Sequence, residues 1–185
     1  MQANASTSAG EAIQAAAGVA EEFVKAYYSA QDLDPTKRPE AVCKLYHPTA
    51  RITWNGNPIP ASDLAAFATR LPVSKHEVQS FDCQPVAGAC VRGTGTFKTH
   101  VLILRCYPPP AGSTSMGPPS LVLSVTGQVT HGTNPPNTAT PHSKDYDWLP
   151  RVFSQALILV WDPIGDPAVP RDPGYRIQAD SLRFV

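Results

Sequence analysis

"RITWNGNPIPASDLAAFATRLP", residues 51–72, packs three kinds of local structure into 22 residues. From Arg51 the pattern is strand-like, and Asn55-Gly56 supplies the two positive-φ residues that a two-residue hairpin turn demands. Asp63 or Ser62 is placed to cap a helix whose apolar face is Leu64, Phe67, Ala68 and Leu71, and Leu71-Pro72 closes it. The turn therefore reads as a scaffold corner that sets register and performs no chemistry, with Trp54 a core or partner contact.

Upstream of this corner the periodicity is helical. Residues 1–10 are small and polar and predict a flexible tail, with a single domain over 11–185. Ser8 followed three residues later by Glu11 forms a capping-box pattern, after which Ile13, Ala16, Ala20, Phe23, Val24 and Tyr27 recur at threes and fours. Residues 38–46 predict a short second helix carrying Val42, Leu45 and Tyr46, stopped by Pro48.

Downstream the alternation is that of strands, over 76–86, 97–106, 120–131, 151–161 and 174–184. Loop insertions are predicted around 88–118 and 131–147, because "PPPAGSTSMGPP" (108–119) and "HGTNPPNTATPHSKD" (131–145) hold too much proline for core elements. Helices first and antiparallel strands after is an α+β order, in which about three helices cover the apolar face of a curved sheet.

Composition excludes several functions. With 42% hydrophobic and 16% charged residues the chain is globular, and fifteen basic against fifteen acidic side chains leave no global field to recruit nucleic acid or an anionic membrane. No apolar run reaches the ~20 residues of a membrane span. Cys43, Cys83, Cys90 and Cys106 contain no Cys-x-x-Cys pair and poor zinc spacing, so a reduced intracellular compartment, free thiols, no metal and no cofactor are expected. Charge is nevertheless uneven. No acid lies between Asp82 and Asp145, while Arg92, Lys98 and Arg105 fall there, as a solvated surface or as a patch for RNA or an acidic partner.

Six segments, "AEEFVKAYYSA" (20–30), "LYHPTARITWNGNPI" (45–59), "SFDCQPV" (80–86), "LVLSVTGQV" (121–129), "VFSQALILV" (152–160) and "YRIQADSLRFV" (175–185), stand in the order and spacing of the nuclear transport factor two-like family. The resemblance spans residues 12–185 apart from the two inserted regions, and "WNGN", "DCQPV" and the "LRF" ending are most similar to its small subunits of heterodimeric mRNA export receptors. It implies a cone, a bent antiparallel sheet wrapped around helices, that pairs through its open sheet face. It further implies a non-catalytic subunit that stabilises a large subunit, supports binding of nucleoporin Phe-Gly repeats and shuttles through the nuclear pore with mRNA ribonucleoprotein or pre-ribosomal cargo.

Strand alternation describes that open face. Leu121, Leu123, Val125 and Val129 fall on one side of their strand, and Val122, Ser124, Thr126, Gln128 and Thr130 on the other. Val78, Ser80, Asp82, Gln84 and Val86 share a side, as do Ile177, Ala179, Ser181 and Arg183 in a strand without a bulge. The expected partner interface is Asp82, Gln84, Ser124, Thr126, Gln128, Ser181 and Arg183, small and poor in Lys and Glu. The resemblance places Asp82 and Arg183 as buried charges there, the arginine meeting an acid of the large subunit. A guanidinium buried without a carboxylate is costly, which disfavours homodimers.

Two alternatives stay open. A homodimeric carrier of GDP-bound Ran would share the fold, but its family relatives carry an acidic loop where this chain has "THGTNPPNTATPHSKD" (130–145), without an acid until Asp145. An isomerase or dehydratase would use the cone interior, with His47, His76, His100, Asp63 or Tyr46 as candidates. His76 and His100 show no evident carboxylate partner, Asp63 reads as a cap, and His47 sits at a helix end before proline. There is no Ser-His-Asp order, phosphate loop or metal cluster.

Overall fold

One long helix supplies the floor against which a sheet folds. The computed structural model describes residues 3–86, 118–132, 149–162 and 174–185. Helix α1 (Ala3–Gln31) buries Ala16, Ala20, Phe23, Val24, Tyr27 and Tyr28, the predicted stripe. It begins at Ala3, so most of the segment read as a tail is helical and the Ser8/Glu11 pair lies inside the helix.

Helix α2 (Arg38–Cys43) is shorter than predicted, and Tyr46 opens strand β1 (Tyr46–Trp54). The cause is tertiary, because the chain is captured there by the last strand: Ile177 N donates to Leu45 O and Tyr46 pairs with Ile177. Arg38 is fully buried and donates to the carbonyls of Leu33, Ala68 and Leu71, tying α2 to the end of helix α3 (Leu64–Arg70). A single 3-10 turn, Ala61–Asp63, precedes α3, and Asp63 makes no side-chain cap; its carboxylate accepts from Ser62 instead.

The hairpin corner forms as predicted. Asn55 and Gly56 have φ of 50° and 80°, and Trp54 pairs with Asn57 of strand β2 (Asn57–Ile59). Strands β3 (Ser74–Val86), β4 (Ser120–His131), β5 (Arg151–Trp161) and β6 (Tyr175–Phe184) complete a six-stranded sheet among the described residues, in the order β2-β1-β6-β5-β4-β3. It is mixed, not purely antiparallel, since β1 runs parallel to β6 and closes the sheet beside the last strand. One face, with Leu121, Leu123, Val125, Val129, Phe153, Leu157, Leu159 and Ile177, packs on α1 and forms the core.

Candidate partner-binding face

The opposite face of β3–β6 is laid out by register. Asp82 pairs with Ser124, Ser124 with Ala156 and Ala156 with Ser181, so these four form one row across the sheet. The next row is Ser80, Thr126, Ser154 and Arg183, and on the other side lies Gln84, Val122, Ile158 and Ala179. Gln128 stands beside Val152. All seven residues of the predicted interface therefore share one face.

Two β-bulges decide the phase of the outer strands. Between Val78 and Ser80 the pairing slips by one, so Val78 turns inward against the core while Ser80, Asp82 and Gln84 face out. In β6, Ile158 pairs with Ala179 but Leu159 with Ile177, leaving Gln178 as the extra residue. Ile177 is consequently core, unlike its predicted place with Ala179, Ser181 and Arg183. Asp180 lies inward, on the side opposite Ala179 and Ser181.

The face is nearly neutral. In its three central rows Asp82 and Arg183 are the only charged side chains, and both are exposed. They sit on β3 and β6, three strand spacings or about 14 Å apart, so they do not pair within the chain. Asp82 accepts from Cys83 N and Gln84 Nε2, while no carboxylate among the described residues bridges Arg183. Ser80 and Thr126 hydroxyls bond each other at 2.7 Å. Val122, Val152 and Ile158 stand 36–43% exposed between these polar groups, three apolar contacts that composition had not singled out for binding. Their signal was the outward parity of β5, where Val152, Ser154, Ala156 and Ile158 alternate with buried Phe153, Gln155 and Leu157.

The interior is the competing site. Asp180, 6% exposed, accepts from Tyr46 Oη at 2.5 Å, Tyr27 Oη at 3.2 Å and Gln155 Nε2 at 2.7 Å. Gln155 also donates to Tyr27 and accepts from Tyr28, so one buried network ties α1, β1, β5 and β6 together. Burial pushes the Asp180 carboxyl above its ordinary range, against the pull of hydrogen bonds from Tyr46, Gln155 and Tyr27. Burial likewise drives the Tyr27 and Tyr28 phenols far above theirs. The adjoining cavity, lined by Tyr27, Tyr46, Ile52, Trp54, Leu64, Phe67 and Asp180, measures about 10 Å³, the room of one water.

The other candidates resolve individually. His76 does have a carboxylate: its Nδ1 meets Asp32 Oδ1 at 2.6 Å, its backbone N–H donates to Asp32 Oδ2, and its ring lies beside Tyr28 and Phe153. Proximity in space, 44 residues apart, concealed that partner from a reading along the chain. Burial raises the Asp32 carboxyl, but hydrogen bonds from His76 and Ser74 together outweigh it and hold it below the usual range. His47 is half-buried and, among the described residues, bonds Thr49. Trp54 packs edge-on to Phe67 and Phe184. Cys43 and Cys83 are free, half-buried thiols, and the described residues contain no cluster of metal-ligating side chains. Arg92, Lys98, Arg105, His100, Cys90, Cys106 and the predicted strand 97–106 lie outside the described residues.

The sequence model of the nuclear transport factor 2 (NTF2) domain matches residues 19–105. NTF2-related export protein 1 of Bos taurus is 38% identical over 88 residues, 47% of this chain and 57% of the relative. NTF2-related export protein 2 of Homo sapiens is 41% identical over 75 residues, 40% of this chain and 50% of the relative. The chain spans about half the length of these curated relatives. Among solved structures, "Chaetomium thermophilum Mex67 NTF2-like domain complexed with Mtr2" matches with TM-score 0.58 and 20% identity, covering 94% of this chain and 99% of that one. "Structure of Mtr2" matches with TM-score 0.56, 19% identity and the same coverage.

Proposed function

We propose, for a chain that carries the NTF2 domain and its fold, the role of non-catalytic small subunit in a heterodimeric mRNA export receptor, docking through the outer face of β3–β6. The observation that carries this reading is that face: its three central rows are small and uncharged apart from Asp82 and Arg183, with Val122, Val152 and Ile158 exposed and Arg183 left without a carboxylate of its own among the described residues. A solvated sheet face ordinarily carries more charge, whereas a buried interface core is depleted in Lys and Glu. The export names of the curated relatives and the two-chain complex of Mex67 with Mtr2 support the same assignment.

The interior supports binding without turnover. A cavity of about 10 Å³ beside Asp180 admits no organic substrate, so the Tyr46–Asp180 pair serves as structure. The heterodimer presents weak apolar depressions to Phe-Gly repeats, each contact exchanging quickly while many in parallel give avidity. It works in the nucleus and at the nuclear pore, shuttling to the cytoplasm. Arg92, Lys98 and Arg105 add contacts to RNA or pre-ribosomal particles, in which case RNA affinity falls steeply with added salt.

The test is size-exclusion chromatography with mass measurement of the chain and the NTF2-like domain of a large subunit. A mixed pair is expected, and Arg183→Ala weakens it by about 2–5 kcal/mol, part of that the penalty of stranding the partner's carboxylate. If Arg183→Asp leaves the mixed pair unchanged, the assignment of Arg183 is wrong.

A further inference from the structure

Four strand ends and one helix end converge on a single cleft. The last residues of β1, β4 and β6 and the first of β5 bring Trp54, His131, Phe184 and Arg151 together, and the chain leaving α3 forms the opposite wall with Leu71 and Pro72. We propose that this cleft is a docking socket for an acidic peptide segment, which seats one apolar side chain against the aromatic rings and sets its carboxylates against Arg151 and the neighbouring Arg70.

The cleft is open to solvent and holds about 480 Å³, a size within the roughly 300–1,000 Å³ of ligand sites. Its apolar wall is held in place from behind and beside. The Trp54 ring lies 5.2 Å from that of Phe67 and 5.7 Å from that of Phe184, and the His131 ring meets Phe184 edge-on at 6.1 Å. A socket formed in advance spares the incoming side chain the cost of ordering it. Trp54 and Leu71 also line the closed cavity of about 10 Å³ beside Asp180, so a ligand stops at these two side chains and does not reach the buried carboxyl.

Charge selects the rest of the ligand. No Asp or Glu lines the cleft, and Arg151 is exposed at its rim. Arg70, also exposed, stands in the last turn of α3 immediately before Leu71. Asp32 is engaged by His76 and by Ser74, the residue that pairs with His131. Asn55 adds a neutral donor: its Oδ1 accepts from Phe184 N, which leaves the amide hydrogens for a carboxylate or a peptide carbonyl. Trp54 and Phe184 meet at 80°, the corner of a socket and not a flat platform for stacked bases, which favours a peptide side chain over RNA.

Phe184, Arg151 and His131 point to the strand sides opposite Arg183, Val152 and Thr130, away from the outer face. The cleft therefore stays open when that face is covered, and it is a property of this chain whether or not the export assignment holds.

Fluorescence anisotropy of labelled probes on the full chain is the test. An acetylated Glu-Asp-Phe-Asp-Glu peptide is expected to bind, and to bind more weakly as salt screens the charges. A peptide with Ala in place of Phe, and a neutral Gly-Ser-Phe-Ser-Gly peptide, are each expected to bind at least about tenfold more weakly. Arg151→Glu is expected to weaken the acidic peptide by at least about tenfold and to tighten a reversed Lys-Arg-Phe-Arg-Lys peptide relative to wild type, a gain that loss of folding cannot produce. No binding of the acidic peptide at millimolar concentration overturns the socket, as does equal affinity for the neutral peptide, indifference to Arg151→Glu, or tighter binding of a uridine hexanucleotide. Repeating the titration on the mixed pair with the large subunit's NTF2-like domain is expected to return the same affinity, and expulsion of the peptide by pairing overturns the placement of the cleft away from the outer face. A chain that binds the peptide but forms no mixed pair refutes only the export assignment, and a mixed pair that ignores the peptide refutes only the socket.

Discussion

Removing the Asp180 carboxylate tests whether the buried network is structural and how it is protonated. In Asp180→Ala, three donors lose their acceptor: Tyr46 Oη, Tyr27 Oη and Gln155 Nε2. The two phenols lie 3.1 Å apart, so one of them re-pairs with the other. Gln155 keeps its bond to Tyr27 through one hydrogen and loses the second. That leaves one or two stranded buried donors, each costing about 1–3 kcal/mol, with a small cavity added. The expected loss is about 2–5 kcal/mol in urea unfolding at pH 7, read from the midpoint at constant slope. Asp180→Asn behaves differently. Its carbonyl keeps the Gln155 bond, its amide donates to a phenol oxygen, and one phenol re-pairs with the other, so at most one donor is stranded and the loss is smaller, about 1–3 kcal/mol. The pH dependence gives a second sign. Because burial raises the Asp180 carboxyl, the folded chain holds its proton more tightly than the unfolded chain. That stabilisation is fully present below the unfolded value near pH 4 and is lost as pH rises through the folded one, a slope absent from Asp180→Asn. Equal losses in the alanine and asparagine variants, or a wild type whose stability climbs over that window by more than the asparagine variant's, would refute the reasoning.

Other expectations are simpler. Asp32→Asn removes the clamp from His76 and Ser74 and is expected to cost about 1–3 kcal/mol by the same urea assay at pH 7. With its carboxyl held below the usual range, the Asp32 contribution fades as pH falls through the folded value, and Asp32→Asn shows no such acid loss. Gly127→Ala drives a Cβ into Glu77 O and to 2.9 Å from the Phe153 ring, so thermal unfolding should drop by the equivalent of about 1–3 kcal/mol. At Gly56, φ is 80° with open space around the Cβ position, so Gly56→Ala costs only the backbone strain, roughly 1 kcal/mol in the same melt.

Much of the outer face could be read along the chain because β-strands alternate with a period of two, and burial on one side writes that period into β4 and β5. Leu121, Leu123 and Val125 declared their side, and Ser124 and Thr126 followed. The same rule failed at Val78 and Ile177, since a bulge is a property of pairing between strands and leaves no mark in the alternation of either one.

By itself the sequence determined the local conformations and which faces are oily: the α1 stripe, the Asn55-Gly56 turn, and the neutrality of the outer rows are consequences of side-chain size, charge and spacing. Tertiary structure alone decided the long-range unions. Asp32 found His76, Tyr46 left its helix for β6, and Asp180 turned inward onto Tyr27 and Gln155. Those partners lie 25 to 153 residues apart, and only closure of the core brings them within hydrogen-bonding distance, where satisfying a buried polar group outweighs local preference.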